Sequence, residues 1–388
     1  MHKLERYINV GTRQMRCGYT TGTCAAGATR AAAEALLAGA FPASVLVETP
    51  VGIDVALDIE QPERDGNWAC CAVRKDGGDD PDVTDGALVF SKVSLSEQPG
   101  VRIDGGVGVG RVTRPGLDQP IGAAAINSVP RAMIAAQVEQ AVRAHGYAGG
   151  MDVEISIPAG VELAQRTFNP RLGIVGGISV LGTSGIVRPM SEASLIGSLE
   201  IEMRQLAQEG NRHLLLAPGN YGRDFARDVL GLSVESCVQC SNYLGEALDR
   251  AVALGFHTVL VVGHVGKLAK VAAGNMNTHS RVSDARRETL AAHAALAGAS
   301  RGVVAAIMNS GTTDEIFDLL DAEGLVEQVM ATLVERLEAQ LEHRTLGRLG
   351  IGAIVFSKTR GELGFTSQAH EIIQFHRQAG HDMPVRES

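Results

Sequence analysis

The second half of this chain alternates between short apolar runs and segments with helical periodicity. This alternation restricts the fold more than any other feature of the sequence. The predicted strands of this half are LGIV (172–175), HLLLAP (213–218), VESCVQ (234–239), TVLVVG (258–263), VVAAIM (303–308) and IGAIVFS (351–357). Continuous apolar strands that alternate with helices are typical of a parallel sheet with helices on both faces. We therefore predict a doubly wound, mostly parallel, Rossmann-like α/β domain over residues 166–388.

The first 165 residues carry a different pattern, in which strand-like runs follow one another instead of alternating with helices. The predicted helices lie near 23–40 and 130–145, and the strand-like runs lie near 44–60, 69–75, 87–95, 101–104 and 153–158. Strands in succession favour an antiparallel or mixed sheet. Residues 1–165 are therefore predicted to form an α+β domain with a mixed sheet.

The composition argues against several classes of partner. The net charge is −9 and the sequence holds no block of lysine or arginine, which disfavours nucleic acid. Aromatic residues make up 4% of the chain, too few for a platform that stacks bases. No uncharged apolar run reaches the ~18 residues that a membrane-spanning helix needs. We therefore expect a cytoplasmic protein that binds neither nucleic acid nor a membrane.

Loops that carry glycine or asparagine follow the predicted strands, and the richest of them lies at 176–185. Ligands of open parallel sheets bind beyond the carboxyl ends of the strands, where glycines let backbone N–H groups approach a ligand closely. We predict a cofactor site in this loop, completed by a residue from the next strand end. Its predicted members are Gly176, Gly177, Gly182, Thr183, Ser184 and Asn220.

A set of motifs along the chain, in their order and spacing, resembles one known family. The motifs are RCGYTTGTCAAGATRAAA (16–33), RKDGGDDPDVTDG (74–86), GGVGVGRVTRPG (105–116), AAINSVPR (124–131), FNPRLGIVGGISVLGTSGIVRPMSE (168–192), PGNYGRDF (218–225), GHVGKLAKVAAG (263–274) and THSRVSDARRETLAAH (278–293). The set closely resembles the CbiD family, the cobalt-precorrin-5B C1-methyltransferases of anaerobic cobalamin biosynthesis. The resemblance covers about residues 15–357, and the tail 358–388 matches nothing in it.

The resemblance implies an S-adenosyl-L-methionine-dependent C-methyltransferase that methylates C1 of cobalt-precorrin-5B and gives cobalt-precorrin-6A. Cobalt would belong to the tetrapyrrole substrate, so no protein-bound metal is expected. A homo-oligomer stays open, because the sequence does not give the number of subunits. The cofactor's position stays open between the loop 176–185 and the D-x-G-x-G-x-G segment 104–110. The second segment is the weaker candidate, because RVTRPGLDQP follows it and starts no helix.

A substrate with many carboxylates needs local positive charge in a protein whose net charge is negative. The arginines beside the motifs are Arg111, Arg114, Arg131 and Arg171. The predicted substrate-binding residues are Thr20, Thr21, Lys75, Arg114 and Lys267. His264, at a strand-to-helix turn, and Asp80, from the acidic cluster 76–85, are predicted to handle protons as the ring's conjugation rearranges.

Two other functions stay open. A nicotinamide-dependent reductase uses the same kind of sheet, but the chain lacks a G-x-G-x-x-G fingerprint followed by an acidic residue ~20 positions later. A non-catalytic carrier of a corrinoid intermediate would need no second, cofactor-sized site. Binding of S-adenosylhomocysteine separates the three functions, because only the methyltransferase should bind it.

Overall fold

The structure is a computed structural model that describes residues 2–381, with side chains described as far as residue 377. The chain divides into two compact units, Met1–Glu192 and Ala193–Ser388. This division lies after Glu192 and not after residue 165, because the segment 174–187 pairs with strands of the N-terminal unit. The glycine-rich loop 176–185 therefore belongs to the N-terminal unit.

The N-terminal unit is built from short strands and two long helices. Its strands are β1 (Tyr7–Val10), β2 (Arg13–Arg16), β3 (Gly18–Tyr19), β4 (Ser44–Glu48), β5 (Asp54–Asp58), β6 (Glu60–Asp65), β7 (Trp68–Arg74), β8 (Leu88–Ser96), β9 (Val101–Gly105), β10 (Gly108–Val109), β11 (Arg111–Val112), β12 (Gly150–Ser156), β13 (Ile174–Val175), β14 (Gly177–Ile178) and β15 (Ile186–Val187). Its helices are α1 (Thr21–Ala38), α2 (Ser128–His145) and α3 (Gly160–Leu163), with a 3₁₀ turn at Ala164–Arg166.

The core of this unit lies between helix α1 and a five-stranded mixed sheet. The strand order is β6-β7-β8-β12-β9, in which β9 runs parallel to β12 and the other neighbours are antiparallel. Helix α1 is rich in alanine because it is almost wholly buried, and its Thr29 hydroxyl lies 2.8 Å from the Ser91 hydroxyl of β8. The helix begins at the N-cap Thr20, whose side chain accepts a hydrogen bond from the Thr23 amide. The mixed sheet predicted for this half is confirmed.

The C-terminal unit begins in the first turn of a helix and then alternates between strands and helices. Its strands are β16 (His213–Ala217), β17 (Cys237–Gln239), β18 (Thr258–His264), β19 (Gly350–Ser357) and β20 (Gly361–Phe365). Its helices are α4 (Glu192–Gln208), α5 (Asn220–Asp228), α6 (Leu244–Ala253), α7 (Val265–Ala272), α8 (Arg286–Leu296), α9 (Arg301–Asn309), α10 (Thr313–Ala322), α11 (Val326–Thr345) and α12 (Ala369–His381).

The sheet of this unit has the order β17-β16-β18-β19-β20, with β20 as an antiparallel edge on four parallel strands. Alternate strand residues face opposite sides. Leu214 and Val259 lie in the core that includes α6, α7 and α11, whereas Leu215 and Leu260 pack with α5 and α12. Helices therefore cover both faces, as predicted. The chain passes from β16 to β17 and then back across β16 to β18, so the topological switch point lies between β16 and β18.

Two predicted strands of the second half are wrong. VVAAIM lies in helix α9, because the Ser300 side chain caps its first turn by accepting from the Val303 amide, and an apolar run alone does not separate a strand from a buried helix. Of the predicted strand LGIV, only Ile174–Val175 forms a strand, β13, and it pairs with β11 outside the parallel sheet. Beyond residue 357 the chain adds β20 and α12, which the sequence did not predict. Within residues 2–381, no helix is long and apolar enough to cross a membrane.

Candidate functional site

The two glycine-rich segments that compete for the cofactor pair with each other. Strand β10 lies parallel to β14, with Gly108 opposite Gly177. A Cβ atom on Gly177 would overlap the Gly108 carbonyl, and a Cβ on Gly108 would overlap the Ile157 carbonyl. These glycines are needed because protein backbone fills the space beside them. The prediction that the loop 176–185 lies at the first strand end of the parallel sheet is wrong.

The rest of this loop packs on the N-terminus of helix α1. The Leu181 carbonyl accepts from the Gly22 amide at 3.0 Å and from the Thr21 hydroxyl at 3.3 Å. A Cβ on Gly182 would overlap the Thr20 hydroxyl, and the Gly185 carbonyl accepts from the Thr20 amide. Thr20 and Thr21, predicted to bind substrate, therefore hold the loop that was predicted to bind the cofactor.

The remaining predicted cofactor residues of the loop differ in exposure and in hydrogen bonding. Gly176 is exposed, and an added Cβ there would meet no atom within 4 Å. Thr183 is exposed as well, whereas the Ser184 hydroxyl donates to the Ile186 carbonyl at 3.0 Å. Only Gly176 and Thr183 of the predicted cofactor residues in this loop thus face open space.

The acidic loop 76–85 joins the same region of the N-terminal unit. Arg16 donates two hydrogen bonds to the Asp76 carboxylate, at 2.6 and 2.7 Å. Lys75 is 3% exposed and pairs with Asp82, so its ammonium lies beneath the loop and not on the surface where a substrate would meet it. Asp80 is half-buried, and its carboxylate accepts from the Met190 amide.

The arginines beside the motifs mostly have protein partners. Arg111 pairs with Asp104 at 2.6 and 2.9 Å, and Arg131 donates to backbone carbonyls that include that of Ile103. The half-buried Arg114 donates to the carbonyl of the exposed Arg171 at 2.8 Å. Arg114 and Arg171 thus lie side by side and form the better candidate for carboxylate recognition.

Polar side chains of the C-terminal unit lie at the carboxyl ends of β16, β17 and β18, and we call the region of Asn220, Gln239, His264 and Lys267 the crevice. Gly219 has φ +109 and ψ 176, a conformation that favours glycine, and it caps helix α5. An added Cβ on Gly219 would meet only the Lys267 ammonium, at 3.7 Å, so the space above this loop is open. Asn220 is exposed beside it, and its side-chain oxygen Oδ1 accepts from Nε2 of Gln239 at 3.0 Å.

Lys267 lies in the middle of this crevice. Its Nζ donates to the Ser241 carbonyl at 3.0 Å and to Oδ1 of Asn242 at 3.1 Å, which ties the first turn of α7 to the end of β17. Burial lowers the pKa of Lys267 below its usual value, and this outweighs the opposing effect of Cys240. Burial also raises the pKa of the Cys240 thiol to about 12, so this sulfur stays protonated.

His264 caps helix α7 from inside the crevice. Its Nδ1 accepts from the Gly266 amide at 3.1 Å, so the neutral ring carries its proton on Nε2. Burial lowers the pKa of His264, although the nearby Asp314 carboxylate acts in the opposite direction. With Nδ1 engaged by the helix and its pKa lowered, His264 is neutral at pH 7 and has its Nε2–H as the group that it can offer to a ligand.

The structure therefore brings together three predicted residues, Asn220, His264 and Lys267, in one unit. Several polar or aromatic neighbours were not among the predicted site residues: Tyr221, Gln239, Asn242, Thr278 and Lys358. Tyr221 and Thr278 lie in motifs of the family resemblance, whereas Asn242 and Lys358 lie outside those motifs. Among the described residues, no group of three or more His, Cys, Asp or Glu side chains could hold a metal ion.

The hydrogen-bonding groups of the crevice fit the polar groups of S-adenosylmethionine. Open space lies above Gly219, an ammonium is available from Lys267, and Asn220 offers an exposed amide. A sugar diol, an adenine edge and an α-carboxylate need hydrogen-bond groups of this kind. At β10 and β14, by contrast, Gly108 and Gly177 have no such space beside them.

Comparison with known proteins identifies the family. The CbiD family model matches residues 8–189, and the model of the CbiD C-terminal domain matches residues 277–367. A protein of Ruminiclostridium cellulolyticum named cobalt-precorrin-5B C(1)-methyltransferase is 46% identical over 360 residues, 93% of this chain and 94% of that protein. A protein of Alkaliphilus metalliredigens with the same name is 41% identical over 377 residues, 97% of this chain and 99% of its own.

One solved structure is also similar, the crystal structure of the cobalamin biosynthesis protein cbiD from Archaeoglobus fulgidus. It is 30% identical and covers 73% of this chain and 87% of its own, with a TM-score of 0.39. Because this TM-score is low, the fold described above is assigned from the strand pairing of this chain and not from that crystal structure. Because the CbiD models match it and these two relatives cover more than nine-tenths of its length, the chain belongs to the CbiD family.

Proposed function

We propose that this chain is a cobalt-precorrin-5B C(1)-methyltransferase, which transfers a methyl group from S-adenosyl-L-methionine to C1 of cobalt-precorrin-5B and gives cobalt-precorrin-6A. Relatives of that name are 46% and 41% identical to it over almost their whole length. The reaction belongs to cobalamin biosynthesis, and the cobalt enters with the tetrapyrrole substrate.

The methyl donor binds, in this proposal, at the carboxyl ends of β16, β17 and β18. The observation that carries the assignment is the position of Asn220, His264 and Lys267 at the topological switch point of the parallel sheet, where open α/β sheets take their ligands. S-adenosylmethionine supplies a methyl group on a sulfonium that is a good leaving group without further activation. The protein therefore has to bind the methyl donor and the substrate and to align the methyl group with C1.

Each crevice residue has a separate task in this proposal. Lys267 pairs with the donor's α-carboxylate, since its ammonium lies 3.7 Å from the position that a Cβ on Gly219 would take. Asn220, oriented by Gln239, hydrogen-bonds the ribose or adenine, and His264 donates from Nε2. The loop 176–185 is reassigned to the substrate side, because the N-terminus of α1 and the protein's own backbone occupy most of its glycine surface.

The N-terminal unit supplies the substrate surface in this proposal. Thr20 and Thr21 act indirectly, because their hydrogen bonds hold the loop 176–185, whose exposed Gly176 and Thr183 can meet the substrate. Arg114, beside Arg171, adds a guanidinium that can form paired hydrogen bonds with a carboxylate. Function carried by loops on a rigid scaffold is a common arrangement.

Calorimetry with S-adenosylhomocysteine tests the function and the location together. The full-length protein should bind the ligand, Asn220→Ala should weaken binding about tenfold, and Ser184→Ala in the other loop should leave it unchanged. Unimpaired binding by Asn220→Ala with loss in Ser184→Ala would return the donor to the loop 176–185. A wild-type protein that binds cobalt-precorrin-5B but neither S-adenosylhomocysteine nor a nicotinamide cofactor would be a carrier.

A further inference from the structure

Tyr221 presents an aromatic face beside the proposed donor crevice. It follows Asn220 in the first turn of helix α5, at the carboxyl end of β16, and it is 57% exposed. The Lys358 ammonium, from the turn after β19, lies 3.1 Å from the centre of its ring. The ring thus already holds a cation, at the edge of the sheet where the strand ends converge.

The ring is held in place by the packing of its helix. A Cβ on Gly222 would overlap the Val262 carbonyl, so helix α5 approaches β18 more closely than any other residue at position 222 would allow. One turn further on, Phe225 stacks on Phe356 of β19 with ring centroids 4.2 Å apart and an interplanar angle of 10°. Helix α5 therefore has little freedom to move Tyr221 away from the crevice.

The electrostatics of this position favour a cation over a neutral group. An aromatic face attracts cations through its quadrupole, and onium groups are bound in this way. The Lys358 charge also reaches into the crevice, since it adds to the effect of burial that lowers the pKa of His264. The methyl donor carries a sulfonium cation, whereas its demethylated product has a neutral thioether at the same place.

We propose that the face of Tyr221 binds the sulfonium of the methyl donor and that Lys358 occupies this face when no donor is bound. The proposal rests on the placement of the donor under "Proposed function". Tyr221 is then a specificity-determining residue that separates the donor from its neutral product. Lys358 competes with the donor for the ring and returns to it once the sulfur has become neutral, which favours release of the product.

The ratio of two dissociation constants tests this inference without any turnover. Calorimetry of the full-length protein gives the affinity for S-adenosylmethionine and for S-adenosylhomocysteine in each variant. Tyr221→Leu should weaken S-adenosylmethionine binding about tenfold and change S-adenosylhomocysteine binding little, while Tyr221→Phe should keep the wild-type ratio because its ring remains. Lys358→Met should strengthen S-adenosylmethionine binding severalfold, since the competing cation is gone.

Tyr7, exposed at 47% in the N-terminal unit, gives a matched control, and Tyr7→Leu should leave both affinities unchanged. Equal weakening of both ligands by Tyr221→Leu, or weaker S-adenosylmethionine binding in Lys358→Met, would overturn the role of the ring while leaving the donor site intact. A wild-type protein that binds neither ligand would overturn the proposed function and this inference together.

Discussion

The Asp80 carboxylate accepts a hydrogen bond from the backbone amide of Met190 at 2.8 Å, across 110 positions of sequence. Met190 has φ +54, a left-handed conformation that is strained for a side chain of its size, and it is 57% exposed. Asp80 therefore stabilises an unfavourable turn that places an apolar side chain in solvent. Such strain commonly marks a surface that meets a ligand.

We expect Asp80→Ala to raise the KM for the tetrapyrrole about fivefold and to leave S-adenosylhomocysteine binding unchanged, because the turn at Met190 loses its anchor. Asp80→Asn should retain most of the activity, since an amide oxygen also accepts from the Met190 amide. Steady-state kinetics of both variants check this. A large loss of kcat in Asp80→Asn with an unchanged KM would instead identify Asp80 as a base.

Replacement of Gly177 by alanine should destabilise the N-terminal unit by about 3 kcal/mol, because the new methyl group overlaps the Gly108 carbonyl. Trp68 is the single tryptophan of the chain and lies in β7, so its fluorescence during urea unfolding reports on this unit alone. Gly197→Ala is the control. This glycine lies within helix α4 of the C-terminal unit with no atom within 4 Å of an added Cβ, so the change should leave the Trp68 unfolding transition where it is.

The affinity for S-adenosylhomocysteine should fall at alkaline pH as Lys267 loses its proton. Burial lowers the pKa of Lys267, so the fall begins below the usual lysine value of 10.5. Above that lowered pKa the amine is neutral and no longer attracts the ligand's carboxylate. Calorimetry from pH 7 to 10 should show the step in the wild type, and Lys267→Met should bind about tenfold more weakly at pH 7 without this step. An identical pH profile in both proteins would remove Lys267 from the carboxylate site.

Acid should weaken the C-terminal unit through His376. This side chain is 7% exposed in helix α12, its Nε2 has no hydrogen-bond partner within the described part of the chain, and burial, together with the charge of His213, lowers its pKa to about 4. Because the unfolded state takes up the proton at a pKa near 6.5, stability is full above that pH. It falls by roughly 3 kcal/mol as the pH drops toward 4.

Hydrogen exchange over residues 369–377 measures this effect directly. Exchange in the wild type should accelerate between pH 6.5 and 4 beyond the intrinsic pH dependence, and His376→Leu should flatten the response. The exposed His145 of helix α2 supplies the control, since His145→Leu leaves the buried ring in place. Wild-type and His376→Leu profiles that coincide would show that the acid response has another origin.

The long apolar strands were predictable from the sequence, whereas the pairings between two-residue strands were not. Residues such as Leu214–Ala217 and Val259–Val262 are buried on both faces of the sheet, so hydrophobicity alone identifies them. Strands β10 and β14 are two residues long and are defined by a partner that lies far away in sequence. Gly177 looks the same in a sequence whether its missing side chain makes room for a ligand or for Gly108. Sequence spacing therefore could not separate the two roles.

The same limit applies to the crevice. Asn220, His264 and Lys267 were predictable because each follows an apolar strand, and strand ends of a parallel sheet share one edge. Tyr221, in the first turn of α5, and Lys358, in the turn after β19, follow strands that β18 separates. Their contact depends on the strand order, which could not be predicted from the sequence. His376 lies in the tail 358–388, where no helix was predicted.

The pairing of β3 with β15 has a consequence for how the protein is made. Gly18 and Tyr19 pair as a strand with Val187 and Ile186, so this part of the N-terminal unit stays open until residue 187 has left the ribosome. Helix α1 can pack earlier on β7, β8 and α2, but its first turn lacks the cover of the loop 176–185 until this final segment is synthesised. Contacts this distant are slow to form. A pause in translation once residue 192 has left the ribosome would therefore give the first unit time to close before the second is complete.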